Sequence, residues 1–117
     1  MNPEKKIVVI AEFSATPIGT GSTSLSNYVT ESLKAISTVK GIRYQVTPMG
    51  TIIESEDLES IFEAVKASHN ALFNSGVKRV VSILKIDDRR DKPRAMEDKV
   101  EVVVKRLKEG RPSESKL

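Results

Sequence analysis

The segment from Ile7 to Ala15 alternates with period two, setting Ile7, Val9, Ala11 and Phe13 on one side and Val8, Ile10, Glu12 and Ser14 on the other. Only an extended strand turns such a pattern into two faces, one fit for a core and one carrying a carboxylate. Every later apolar segment must then pair with this strand or cover it. Thr16 to Thr23 is rich in turn formers and small hydroxyls, after which Leu25, Tyr28, Val29, Leu33 and Ile36 recur at helical spacing. This predicts a helix from near Ser24 with Gly41 as its C-terminal cap. Ile42, Tyr44 and Val46 alternate up to Pro48 as a second strand, and Met49-Gly50 reads as a hairpin turn into a short third strand, Thr51 to Glu54.

Ser55-Glu56-Asp57 offers a capping side chain and two first-turn acids to a second helix, whose stripe is Leu58, Ile61, Phe62, Val65, Leu72 and Phe73 and which stops at Asn74-Ser75-Gly76. Val77 to Ile86 is a β-branched fourth strand. A charged segment from Asp87 to Arg94 follows, and Met96, Val100, Val103 and Leu107 then mark a third amphipathic helix ended by Gly110-Arg111-Pro112.

This order predicts an α+β fold, the ferredoxin-like βαββαβ arrangement: a four-stranded antiparallel sheet with two helices on one face and an extra C-terminal helix. Residues 1–112 form one domain and 113–117 a frayed, disordered tail. The helices cover the face of Val9, Ala11, Phe13, Tyr44, Val46, Ser82, Leu84 and Ile86. The open face then carries Val8, Ile10, Glu12, Ser14, Arg43, Gln45, Thr47, Val81, Ile83 and Lys85. Its Val and Ile side chains are too contiguous to stay wet on a small protein, so the chain is expected to self-associate with polar groups inside or beside the interface.

Composition narrows the chemistry. With no Cys and one His, disulfides, thiolate metal sites, a cysteine nucleophile and a zinc cage are all ruled out. The apolar run Ile7 to Ala11 ends at Glu12, shorter than a signal segment or a membrane span, which places the chain in the cytoplasm with no membrane partner. Residues 78–111 hold 12 basic against 7 acidic side chains, but with no Trp, 2 Tyr and 3 Phe the interleaved aromatics of a nucleic-acid surface are missing, and no nucleic-acid partner is expected.

Individual groups have competing readings. Gly19 to Ser24 can present N–H groups and hydroxyls, including those of Thr20 and Ser22, to an anion, yet it lacks the Gly-Lys-Ser/Thr ending of a phosphate loop. Glu12 breaks a strong apolar alternation, either as the ion-pair partner of Lys85 on the neighbouring strand or as an acceptor for a ligand amino group. In Asp87-Asp88-Arg89-Arg90-Asp91-Lys92 the arginines neutralise the acids, which disfavours a metal and leaves mutual salt bridges. His69 has no catalytic partner at any signature spacing. No triad or acid pair stands out, and the chain is read as a non-enzyme without metal or cofactor.

Three blocks, Pro17 to Ser26, Tyr44 to Thr51 and Lys85 to Lys92, resemble the small thiamine-binding protein family, single-domain relatives of the YkoF-type hydroxymethylpyrimidine- and thiamine-binding proteins. The resemblance implies a ferredoxin-like fold, dimers and tetramers formed through sheet faces and edges, and binding of thiamine or its pyrimidine moiety without chemistry. On that reading the ligand sits in a polar pocket on the open sheet face near subunit interfaces. Glu12 takes the amino group with Lys85 beside it, Ser14, Gln45 or Thr47 meet the ring nitrogens, and Met49 packs on the ring. Glu12 or Asp87 faces the thiazolium cation. A phosphorylated form would use Thr20, Ser22, Arg89 or Arg90. The alternative is a structural or regulatory oligomeric module with no physiological small ligand.

Overall fold

A computed structural model of the chain describes residues 8–92 and 96–110. The expected strand start at Ile7, the helix stop at Arg111-Pro112 and the tail at 113–117 fall outside them. The period-two segments form β1 (Val9–Pro17), β2 (Ile42–Thr47), β3 (Gly50–Ser55) and β4 (Val80–Asp88). The 3.6-period segments form α1 (Ser26–Ile36), α2 (Leu58–Asn74) and α3 (Met96–Glu109). All strand pairs are antiparallel, in the order β2-β3-β1-β4, so the fold is ferredoxin-like α+β with a third helix appended.

Because β1 is central, its parity decides both faces. Val9, Ala11 and Phe13 are at most 2% exposed, and Ile53 of β3, Ile36 of α1 and Ile61 and Ala64 of α2 close around them. Burying an Ile or Val contributes roughly 1.5–3 kcal/mol relative to leaving it wet. The helices therefore settle on the side where these residues gather, not on the side of Val81 and Ile83, which stay 47% and 68% exposed.

Several boundaries differ from the periodicity. Helix α1 starts at Ser26, with Leu25 at the N-cap and no capping side chain. It ends at Ile36 in tight turns, Thr38 N–H bonding the Ala35 carbonyl at 3.1 Å and Val39 N–H that of Ile36 at 3.0 Å. Gly41, at φ +84°, does not cap that helix; it reverses the chain into β2. For α2 the cap is Asp57, whose carboxylate accepts from the Ser60 N–H at 2.7 Å, and the first-turn acid is Glu59. Strand β4 begins at Val80 because Val77 is still tied to the helix end, its N–H bonding the Leu72 carbonyl at 3.3 Å, and it runs on to include Asp87 and Asp88.

The open face is partly covered by the chain itself. The carboxylate of Glu54, 1% exposed on β3, accepts from the Met96 N–H at 2.9 Å and from Arg43 Nε. It thereby caps the start of α3 from another element. Arg43 also reaches Glu97 at 2.5 Å, and Lys99 pairs with Asp87. The two carboxylates raise the guanidinium pKa of Arg43 well above its ordinary value. Of the predicted stripe only Met96 is buried; Val100, Val103 and Leu107 are 62%, 58% and 52% exposed.

Candidate functional site

Unequal strand lengths create a cleft at one end of the sheet. The β1–β3 ladder stops at Phe13–Thr51, while β1 continues against β4 as far as Pro17–Val80. Past Phe13, the side of β1 that faces the hairpin has no strand beside it. The Ile18 N–H bonds the Arg79 carbonyl at 2.8 Å, which sets the phase: even residues of β1 turn their backbone groups to β4 and odd ones away from it. Ala15 therefore turns its N–H and C=O into the cleft. Leu25 at the N-cap of α1 and Val29 within it form one wall, and the Pro48-Met49 turn closes the end.

The cavity is about 210 Å³, and among the described residues no charged side chain lines it. Of its hydroxyls, Ser32 is spent on Ser68 at 2.5 Å, and Thr47 is spent on its own turn, donating to the Gly50 carbonyl at 2.9 Å and accepting from the Gly50 N–H at 3.1 Å. Ser14, Thr16 and Thr51 have no side-chain hydrogen bond in the chain and remain available to a ligand. Gly50 is required where the hairpin meets β1, because a Cβ there would lie 3.0 Å from the Phe13 carbonyl oxygen.

A second, shallower groove of about 560 Å³ lies on the open face, with Ile10, Ile52, Gln45 and Thr47 as floor and Met96 and Val100 of α3 as wall.

The residues singled out from the sequence are thus divided. Ser14, Thr47 and Met49 meet in the cleft, and Gln45 joins Thr47 in the groove. Glu12 and Lys85 are ladder partners as expected, but both are exposed and no ion pair joins them; neither lines either cavity. At an edge strand open to water an ion pair gains too little to hold two long side chains together. Asp87 is taken by Lys99. Arg89 pairs with Asp91 and Arg90 with Asp88, each at 2.8 Å, and each arginine holds its partner's carboxyl below the usual range. Thr20 and Ser22 hold their own loop, the Ser22 N–H donating to Thr20 Oγ1 at 3.2 Å and the Thr20 hydroxyl to the Ser22 carbonyl at 3.1 Å.

Ala15, Thr16, Thr51 and Glu54 carry weight that sequence reasoning missed. The available signal was polarity out of place: Thr51 and Glu54 flank Ile52-Ile53 in a buried strand. His69 does have a partner, Ser82 Oγ at 2.8 Å from Nε2, and packs between Phe13 and Phe73. Among the described residues no cluster of three or more acids and histidines could hold a metal ion, and no helix is long and apolar enough to cross a membrane.

The family described as thiamine-binding protein matches residues 11–104. A UPF0045 protein of Methanothermobacter thermautotrophicus is 46% identical over 100 residues, covering 86% of this chain and 100% of that one. The Bacillus subtilis UPF0045 protein YqgV is 42% identical over 103 residues, covering 86% and 98%. Among solved structures, a hypothetical protein of Methanocaldococcus jannaschii superposes with TM-score 0.74 at 36% identity over 86% of this chain and 98% of its own. A Thermotoga maritima protein, whose name proposes a role in thiamine biosynthesis or salvage, gives TM-score 0.65 at 26% identity, covering 81% and 97%.

Proposed function

Because the chain belongs to the thiamine-binding protein family, we propose that it binds thiamine or its hydroxymethylpyrimidine moiety in the cytoplasm, without catalysing a reaction on it, and that the pyrimidine enters the cleft beside Ala15. The observation that carries this reading is the uncharged cleft with an unpaired strand edge at its base. An aminopyrimidine presents a ring-nitrogen acceptor next to an amino donor, the complement of one residue's N–H and C=O. It docks on Ala15 as the missing strand would. The hydroxyls of Ser14, Thr16 and Thr51 each donate or accept and so meet the remaining ring positions. Met49, 86% exposed at the mouth, has the flexibility to pack on the ring.

The cavity is below the roughly 300–1,000 Å³ of most ligand sites, which suits one flat ring and leaves the thiazolium in water. Arg89 and Arg90, already paired, add no anchor for a phosphate. Self-association belongs to the same reading, and the exposed stripe of α3 is what favours the rival, an oligomeric module without a ligand.

Calorimetric titration with hydroxymethylpyrimidine, thiamine and thiamine diphosphate tests it. The first two should bind with similar affinity and the diphosphate no more tightly. Thr51→Val should weaken binding up to about tenfold, the worth of one hydrogen bond. Ala15→Pro removes an N–H that the β4 ladder does not use, while also fixing the backbone φ there, and should weaken it at least as much with the circular dichroism of the sheet retained. Unchanged affinity in both variants, with loss in Gln45→Ala, would move the site to the groove under α3. No heat from any of the three at millimolar concentration would favour the module.

A further inference from the structure

Helices α1 and α2 are joined by a pair of serines. Ser68 of α2 is 0% exposed, and the Ser32 hydroxyl of α1, 2.5 Å away, is its one hydrogen-bond partner among the described residues. Ser32 also lines the cleft, in company with the apolar Leu25, Val29 and Leu33. Each hydroxyl brings one proton and two lone pairs, and only one proton can lie between the two oxygens.

Burial decides whose proton it is. A hydroxyl on a helix can turn its proton back to the carbonyl four residues earlier, as Thr30 does to Ser26 at 2.8 Å and Ser75 to Ala71 at 3.0 Å. Ser32 and Ser68 do not bond the corresponding carbonyls of Tyr28 and Ala64. Water does not reach Ser68, so a Ser68 proton turned away from Ser32 would be a buried donor with nothing to bond. The Ser32 proton has the cleft to enter. Ser68 therefore donates and Ser32 accepts, and the bond takes a lone pair of Ser32 while its proton points into the cleft.

We propose that Ser68 is a positioning residue that fixes Ser32 as a donor and so makes the cleft selective for a ring with an acceptor at that wall. The proposal rests on the reading of the cleft as the pyrimidine site. The hydroxyls of Ser14, Thr16 and Thr51 have no side-chain bond and turn to suit either a donor or an acceptor. Ser32 has no such freedom, because turning it round to accept from a ligand would strand the Ser68 proton. With one ring nitrogen and the amino group of an aminopyrimidine on Ala15, the second ring nitrogen points away from β1. A bare nitrogen there accepts from Ser32, whereas a ring N–H sets proton against proton and leaves both without the water they gave up. A site built around one hydrogen bond rejects the analogue that cannot make it more strongly than an apolar pocket rejects a change of size.

Hydroxymethylpyrimidine and hydroxymethylcytosine carry the same amino group, adjoining ring nitrogen and hydroxymethyl group, but the second ring nitrogen is bare in the first and bears hydrogen in the second. They also differ at the carbon between the nitrogens, so the informative quantity is how their affinity ratio changes between variants. By calorimetry the wild-type chain should prefer hydroxymethylpyrimidine by at least about thirtyfold. In Ser68→Ala, where Ser32 is free to accept, that preference should shrink about tenfold, with the affinity for hydroxymethylpyrimidine changed less than about threefold and the helical circular dichroism kept. Ser32→Ala should lose about tenfold in affinity for hydroxymethylpyrimidine and most of the preference as well. In the ligand-free protein, NMR should show a slowly exchanging hydroxyl proton coupled to the β protons of Ser68 and none on Ser32. A protected proton on Ser32 in place of Ser68, or a preference that Ser68→Ala leaves unchanged, would overturn the inference. No heat from either compound at millimolar concentration would strike the pyrimidine reading and the selectivity with it, while the hydroxyl signal would separately uphold or strike the donor sense of the pair.

Discussion

Replacing Glu54 by Gln tests whether α3 is held to the sheet by one buried carboxylate. Glu54 is 1% exposed and serves two donors, Arg43 Nε and the Met96 N–H. The amide of Gln keeps the volume but has one acceptor oxygen, so its NH₂ must confront the other donor. A charge-assisted hydrogen bond is worth about 1.5–3 kcal/mol. Arg43 is half exposed and keeps Glu97, so water and that second carboxylate compensate it in part. The Met96 N–H, on a residue 7% exposed, has no such substitute. The net cost should be about 2 kcal/mol, toward the lower end of that range.

Chemical denaturation should report that loss, with a fall in Tm of about 8 °C at roughly 4 °C per kcal/mol. Hydrogen exchange localises it: amides of α3 should exchange up to about thirtyfold faster and remain less protected than those of β1 and β3, which speed up by no more than the loss of global stability. A change below about 0.5 kcal/mol with α3 exchange unaltered would mean that apolar contacts alone seat the helix. A larger loss of protection in β1 and β3 than in α3 would make Glu54 a sheet residue and not a clamp.

Gly50→Ala should destabilise by about 1–3 kcal/mol, because its Cβ would meet a backbone oxygen 3.0 Å away that cannot turn aside; wild-type stability in denaturation would refute the close approach. The Asp57 carboxyl is held below its ordinary value of 3.8 by the Ser60 N–H, so its stabilisation is complete above that value and is lost as pH falls through the depressed one. Asp57→Ala should therefore melt lower than the parent at pH 7, with the gap narrowing only as pH falls below the ordinary 3.8; a gap independent of pH would remove the carboxylate from the cap.

The order of elements and the two faces of the sheet were legible in the chain, because a strand's faces follow from spacing between near neighbours. The alternation through Phe13 alone places Val9 and Ala11 in the core and Glu12 outside it. The helix caps were less legible: Ser55 and Asp57 are both cap types, the sequence reads Asp57 as a first-turn acid, and only the backbone geometry makes it the cap. The cleft was not legible at all. It exists because β1 outruns the hairpin, so it depends on the register between residues far apart, such as Phe13 and Thr51, which no local period encodes. Nor did any local signal say that α3 would return to the open face, where Glu54, met in the sequence as part of a β-branched strand, finds the first N–H of a helix some forty residues later. Periodicity is written between neighbours. Cavities and caps between elements arise only when distant segments meet, and there the desolvation of a single carboxylate or the length of one strand decides the outcome.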